Sequence, residues 1–112
     1  MEKFSKPDIA IVKRIKGSQQ PVTVLFTDIE DSTGLWGQVG DVNARLMVDR
    51  LNRLLFPVIR RFRGKVIKTI GDSVMAAFRD PGDAVTAAIA MQQMIERERS
   101  RKIDFPIRIR IG

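Results

Sequence analysis

The 112-residue chain reads as an α+β domain, an antiparallel sheet carrying its helices on one face. Three observations predict it. Short β-branched runs alternate with longer segments of helical periodicity, in the order strand, helix, strand, strand, helix, strand. The two middle runs are separated only by Gly71-Asp72, the composition of a tight antiparallel hairpin. With 44% hydrophobic residues, the chain suffices for one compact core and is too short for two.

Each element follows from local chemistry. Met1 to Gln20 carries Lys3, Lys6, Lys13, Arg14 and Lys16, and Gly17 to Pro21 reads as a linker, so residues 1–21 are expected to form a basic arm outside a core of residues 22–112. Val22 to Thr27 has the length and β-branching of a buried strand. Ser32 to Gly40 is a short helical or turn segment holding the only tryptophan, Trp36. Asp41 is expected to cap a long helix whose apolar positions Met47, Leu51, Leu54, Leu55, Val58 and Phe62 share one face. Pro57 inside it removes a backbone donor and crowds the Arg53 carbonyl, which predicts a kink or a break. Gly64 is expected to end the helix as C-terminal glycines do.

Val66 to Ile70 and Ser73 to Phe78 are the hairpin strands. Asp80 as cap, Pro81 at the first helical position and Asp83 behind it open a second helix, with Ala84, Ala87, Ala88, Met91 and Ile95 along its inner face. Arg97, Arg99 and Arg101 suit its negative end. Phe105 to Ile111 alternates apolar residues with Pro106, Arg108 and Arg110, a half-exposed strand.

Composition narrows the chemistry. Without cysteine there is neither a disulfide nor a thiolate metal site, and without histidine or tyrosine the commonest general base is missing. Ile9 to Val12 is too short for a signal-peptide core or a membrane span, so a cytoplasmic location without membrane insertion is expected. The formal charge of +7 favours polyanions such as nucleotides. Much of it lies on Arg45, Arg50, Arg53, Arg60 and Arg61 within one helical segment, where a solvated face outweighs nucleic-acid binding.

This element order is that of the ferredoxin-like βαββαβ arrangement, in which the first and third strands are central antiparallel neighbours. Asp28 after the first strand and Asp72 before the third then meet at one rim, on strands about 4.8 Å apart. Either aspartate alone reads as a cap or a hairpin residue. Together they repel unless a cation lies between them, and hard ions such as magnesium take carboxylate oxygens, so the pattern predicts a two-metal site working on a nucleotide phosphate. Ile29 to Gly34 leads into a helix start whose backbone donors suit phosphate oxygens, with Glu30 and Asp31 as competing negative side chains. Lys68 shares strand parity with Val66 and Ile70 and is expected to point with them; a snorkelling lysine and a ligand role stay equally open.

At these residues a family resemblance enters. FTDIEDSTGLW followed by GKVIKTIGDSVMAAF resembles the class III adenylate and guanylate cyclase catalytic domain, from about Val22 to Gly112. The resemblance implies two ions, Mg2+ or Mn2+, on Asp28 and Asp72, with the backbone carbonyl of Ile29 also reaching a metal. It implies substrate contacts along Glu30, Asp31, Ser32 and Thr33 and at Lys68 and Thr69, with the lysine pointing to ATP rather than GTP. At Asp31 the sequence departs from the small residue usual in relatives.

Family domains continue past the Arg-Ile-Gly of residues 110–112. Residues 22–112 are therefore expected to be the N-terminal part of such a domain, with the transition-state asparagine and arginine lying outside them and no catalytic side chain assigned here. The implied reaction converts ATP to cyclic AMP and pyrophosphate for intracellular signalling, in a dimer. The chain alone is expected to turn over little substrate and to associate as a homodimer or a swapped oligomer. The alternative is a noncatalytic cyclase-homology module that binds nucleotide and regulates a partner. An RNA-binding reading ranks lower, because the strands lack paired exposed aromatics for base stacking.

Overall fold

The computed structural model describes residues 21–101 and 105–112. The expected basic arm lies outside them except for Pro21. Strands β1 (Thr23–Ile29), β2 (Lys65–Ile70), β3 (Ser73–Phe78) and β4 (Ile109–Ile111) form one antiparallel sheet in the order β2-β3-β1-β4. Helices α1 (Ser32–Val39), α2 (Asp41–Arg61) and α3 (Pro81–Arg101) complete the domain. The α+β class and the central pairing of the first and third strands are as the sequence predicts.

Strand alternation builds the core on one side. Leu25 and Ile29 of β1 and Val74, Ala76 and Phe78 of β3 meet Leu51, Leu55 and Ile59 of α2 and Ala84, Ala87, Met91 and Ile95 of α3. The other face carries a smaller apolar cluster of Met75 and Ala77 with Val22, Val24, Phe26 and Ile67. Apolar on both faces and central in the sheet, β3 is buried at all six positions.

The start of α2 differs from expectation. Gly40, at φ 84°, is the flanking residue, and Asp41 stands inside the first turn. Its charge still suits the positive end of the helix, but its side chain makes no capping bond. The helix runs unbroken through Pro57 to Arg61. Its buried stripe is centred on Leu51, Leu55 and Ile59, while Met47, Leu54, Val58 and Phe62 flank it half-buried. Ile59 was absent from the expected face because the sequence pattern weights 54 and 58 equally well.

Gly64 is a glycine for a different reason from the one expected. The left-handed residue after α2 is Arg63, at φ 66°, and its guanidinium donates to both carboxylate oxygens of Asp83, at 2.6 and 3.0 Å. Those hydrogen bonds, with the charge of Asp83, hold the arginine above its ordinary pKa. Gly64 instead passes directly over the Phe78 ring. A methyl group there would lie 2.6 Å from Phe78 Cζ and 2.8 Å from Ile59 Cγ2. Gly64→Ala is therefore expected to cost about 1–3 kcal/mol through overpacking, read as a lower urea midpoint at unchanged slope.

The second long helix starts as predicted. Asp80 Oδ1 accepts from Gly82 N at 3.0 Å, and Pro81 opens the helix. The last segment keeps its burial alternation from Phe105 onward, yet the ladder covers only Ile109–Ile111. Pro106 has no N–H to contribute, and among the described residues of this segment the first bond to β1 is the one that Arg108 O accepts from Glu30 N. Among the described residues no helix is long and apolar enough to cross a membrane.

Candidate metal and nucleotide site

β1 runs two residues beyond its expected end, so Asp28 stands within the strand. Leu25, Thr27 and Ile29 face the helices and are buried. Alternation therefore turns Asp28 to the opposite face. Across the ladder on β4 it meets Arg110, and on β3 the pairing of Thr27 with Val74 puts Ser73 beside it. Ser73 Oγ donates to Asp28 Oδ1 at 3.2 Å, and Ile29 N donates to the same oxygen at 3.1 Å. Phe26, Asp28, Ser73 and Arg110 line a cleft of about 560 Å3 on this face.

Asp72 directly precedes Ser73 at the hairpin tip, after Gly71 at φ 57°. It is half-buried, with Oδ2 enclosed. It borders a second cleft, of about 640 Å3, together with Ser32 and Trp36 of α1, Asn52 of α2, and Thr69. The two aspartates thus share one corner of the sheet but open from opposite faces. The Ile29 carbonyl turns toward the β3 side of β1, because Phe26 exchanges both ladder bonds with Gly112 and Glu30 N donates to Arg108 O at 2.9 Å.

The loop into α1 is partly committed. The amides of Ile29 and Glu30 are used by Asp28 and Arg108, leaving Ser32, Thr33 and Gly34 as the first-turn N–H groups that no helical carbonyl reaches. Asp31 takes a left-handed conformation, φ 50° and ψ 44°, and makes no capping bond. Its carboxylate leans on the first turn, with Oδ2 only 2.7 Å from where a methyl on Gly34 would sit. Glu30 and Thr33 are exposed, and Ser32 is half-buried.

Lys68 is where strand parity misled the sequence reading. Val66 stands opposite Ala76 but Lys68 opposite Met75, so Ile67 is an extra residue in the ladder. The bulge parts Lys68 from Val66 and puts it on the face of Met75, Phe26 and Asp28; only Ile70, opposite Ser73, stays with it. Thr69, opposite Val74, faces the helices. Nothing in Val66-Ile67-Lys68 announces a bulge. Arg110 and Ser73 were not singled out as site residues either, although the alternation of the last strand, laid beside β1, is a signal that would have found Arg110.

Whether these groups suit a divalent cation follows from their chemistry. Among the described residues no cluster of three or more acidic, histidine or cysteine side chains forms. The donors are two carboxylates and one carbonyl. Magnesium is commonly held by one or two carboxylates with the remaining positions taken by water and substrate phosphates, so the set fits a divalent cation whose coordination water alone, or water with phosphates, completes.

A four-stranded antiparallel sheet with helices against one face is the architecture this chain shares with solved nucleotide cyclase domains. The family described as adenylate and guanylate cyclase catalytic domain matches residues 15–112. Receptor-type adenylate cyclase B of Leishmania donovani is 39% identical over 80 residues, which is 69% of this chain and 6% of that protein. A solved adenylate cyclase from Trypanosoma brucei superposes with a TM-score of 0.70 at 29% identity, covering 87% of this chain and 57% of the other. A bacterial light-regulated adenylyl cyclase shares the fold with a TM-score of 0.72 at 24% identity, over 81% of this chain and 50% of its own. The chain belongs to the adenylate and guanylate cyclase catalytic-domain family, and spans about half of these solved relatives.

Proposed function

We propose that this chain forms the metal and purine side of an adenylate cyclase site, which converts ATP to cyclic AMP and pyrophosphate in intracellular signalling. The observation that carries the reading is the corner shared by Asp28 and Asp72, with Arg110 opposite Asp28 and Lys68 on the same sheet face. Asp28, Asp72 and the Ile29 carbonyl would hold two Mg2+ or Mn2+ ions. Bound there, such ions would lower the pKa of the attacking ribose hydroxyl and neutralise triphosphate charge, chemistry that requires no histidine.

The chain's own residues bind and orient. The first-turn amides of Ser32, Thr33 and Gly34 suit phosphate oxygens, and Arg110 adds positive charge beside Asp28. Glu30 and Asp31 border this loop, and Asp31 weakens its pull on a triphosphate. Lys68, a donor without acceptor capacity, suits the adenine ring nitrogen at the place where guanine presents an N–H. Thr69, on the other face of β2, lines the cleft that Asp72 and Ser32 border and suits a substrate contact from that side. Lys68→Glu is therefore expected to shift the ATP-to-GTP preference by at least about tenfold toward GTP, the scale of one hydrogen bond to a charged group. Relative kcat/KM for the two nucleotides checks it.

The 112 residues alone are expected to turn over little ATP. In this reading the remaining half of the domain, in a dimer, supplies the groups that stabilise the transition state. The deciding experiment is cyclic nucleotide formation from ATP and GTP with Mn2+, in a domain completed to the length of the solved relatives. Product from ATP supports the proposal. ATP binding without product would favour a noncatalytic regulatory module, and a strictly monomeric completed domain would count against the dimer.

A further inference from the structure

We infer that Ser73 is a positioning residue for the metal site, holding Asp28 in the orientation in which its carboxylate receives a divalent cation. The inference rests on the metal reading above and assigns a role to a side chain that reading does not use.

Ser73 is only 2% exposed, the one hydroxyl in a β3 strand otherwise made of Val74, Met75, Ala76, Ala77 and Phe78. Burying a hydroxyl is unfavourable unless it is hydrogen-bonded. Its Oγ donates to Asp28 Oδ1 across the central strand pair. The second donor on that same oxygen is the backbone amide of Ile29. One bond comes from β1 itself and the other from β3, so rotation of the carboxylate is restrained from two elements. Both fall on Oδ1, which sets the direction of Oδ2 as well.

Position matters as much as chemistry. Ser73 follows Asp72 and closes the hairpin opposite Ile70. A single residue therefore ties the carboxylate on β1 to the turn that carries the other carboxylate. Hydrogen bonds to a ligating carboxylate commonly change metal affinity by about 10–100-fold, and the retained Ile29 amide places this case near the lower end.

The test is Mn2+ binding to the 112-residue chain, followed by the EPR signal of the free ion, with circular dichroism to confirm folding. Ser73→Ala is expected to weaken Mn2+ binding by about tenfold. Ser73→Thr, which keeps the hydroxyl and suits a strand, is expected to restore most of it. Asp28→Asn serves as the reference for loss of the ligand. Parent-like affinity in Ser73→Ala, with binding lost in Asp28→Asn, overturns the role of Ser73 alone. A threonine variant as weak as the alanine one does the same, since the loss would then come from packing. A parent that binds no Mn2+, or an Asp28→Asn chain that binds it like the parent, overturns the metal assignment and the Ser73 role with it.

Discussion

Asp28→Asn and Asp72→Asn are each expected to reduce cyclic AMP formation by at least about a hundredfold in a completed domain, the scale of removing one group that stabilises transition-state charge. Asparagine keeps the shape of the side chain and removes its charge. At position 28 the amide oxygen can still accept from Ser73 and Ile29, so the strand register should survive. The metal-free chain is expected to melt no lower than the parent, because two neighbouring carboxylates repel without a cation. Activity lost with stability retained is the expected pattern. Parent-level turnover in either variant would remove the metal reading.

Phe78→Ala is expected to have the largest effect on folding, about 3–5 kcal/mol. A domain of this size has only about 5–15 kcal/mol in total, so the variant should be partly unfolded under conditions where the parent is native. Phe78 is wholly buried at the end of β3, beneath Gly64 and beside Ile59. Because Gly64 and Phe78 compete for one volume, their substitutions should not be additive. Phe78→Leu combined with Gly64→Ala is expected to cost less than the two singles together, since the smaller side chain makes room for the added methyl. Urea denaturation of the four proteins measures the coupling. Strict additivity would mean that the backbone moves away instead.

Much of this architecture was legible because it rests on local chemistry. Asp80, Pro81 and the alanine stripe behind them fixed the start and inner face of α3, and Gly71-Asp72 fixed the hairpin. That positions 28 and 72 lie on neighbouring strand ends was legible once the strand order was known, but that their side chains open from opposite faces of the sheet was not. Three features depend on partners that a linear pattern does not reveal. The bulge at Ile67 exists only in relation to β3, and it moved Lys68 to the other face. Arg63 took the left-handed position expected of Gly64, because Asp83 holds its guanidinium and Phe78 needs the space that a glycine leaves. Arg110 and Ser73 join the site through cross-strand neighbours, and neither belongs to a sequential motif with Asp28.

The extra residue in β2 has a practical consequence for comparing sequences of this family. A one-residue gap placed between positions 65 and 68 inverts which surface of the sheet each side chain of this strand is assigned to. The face assigned to Lys68, on which its proposed role in base selection depends, then changes. Gaps in this strand should be anchored on the residue that faces Met75.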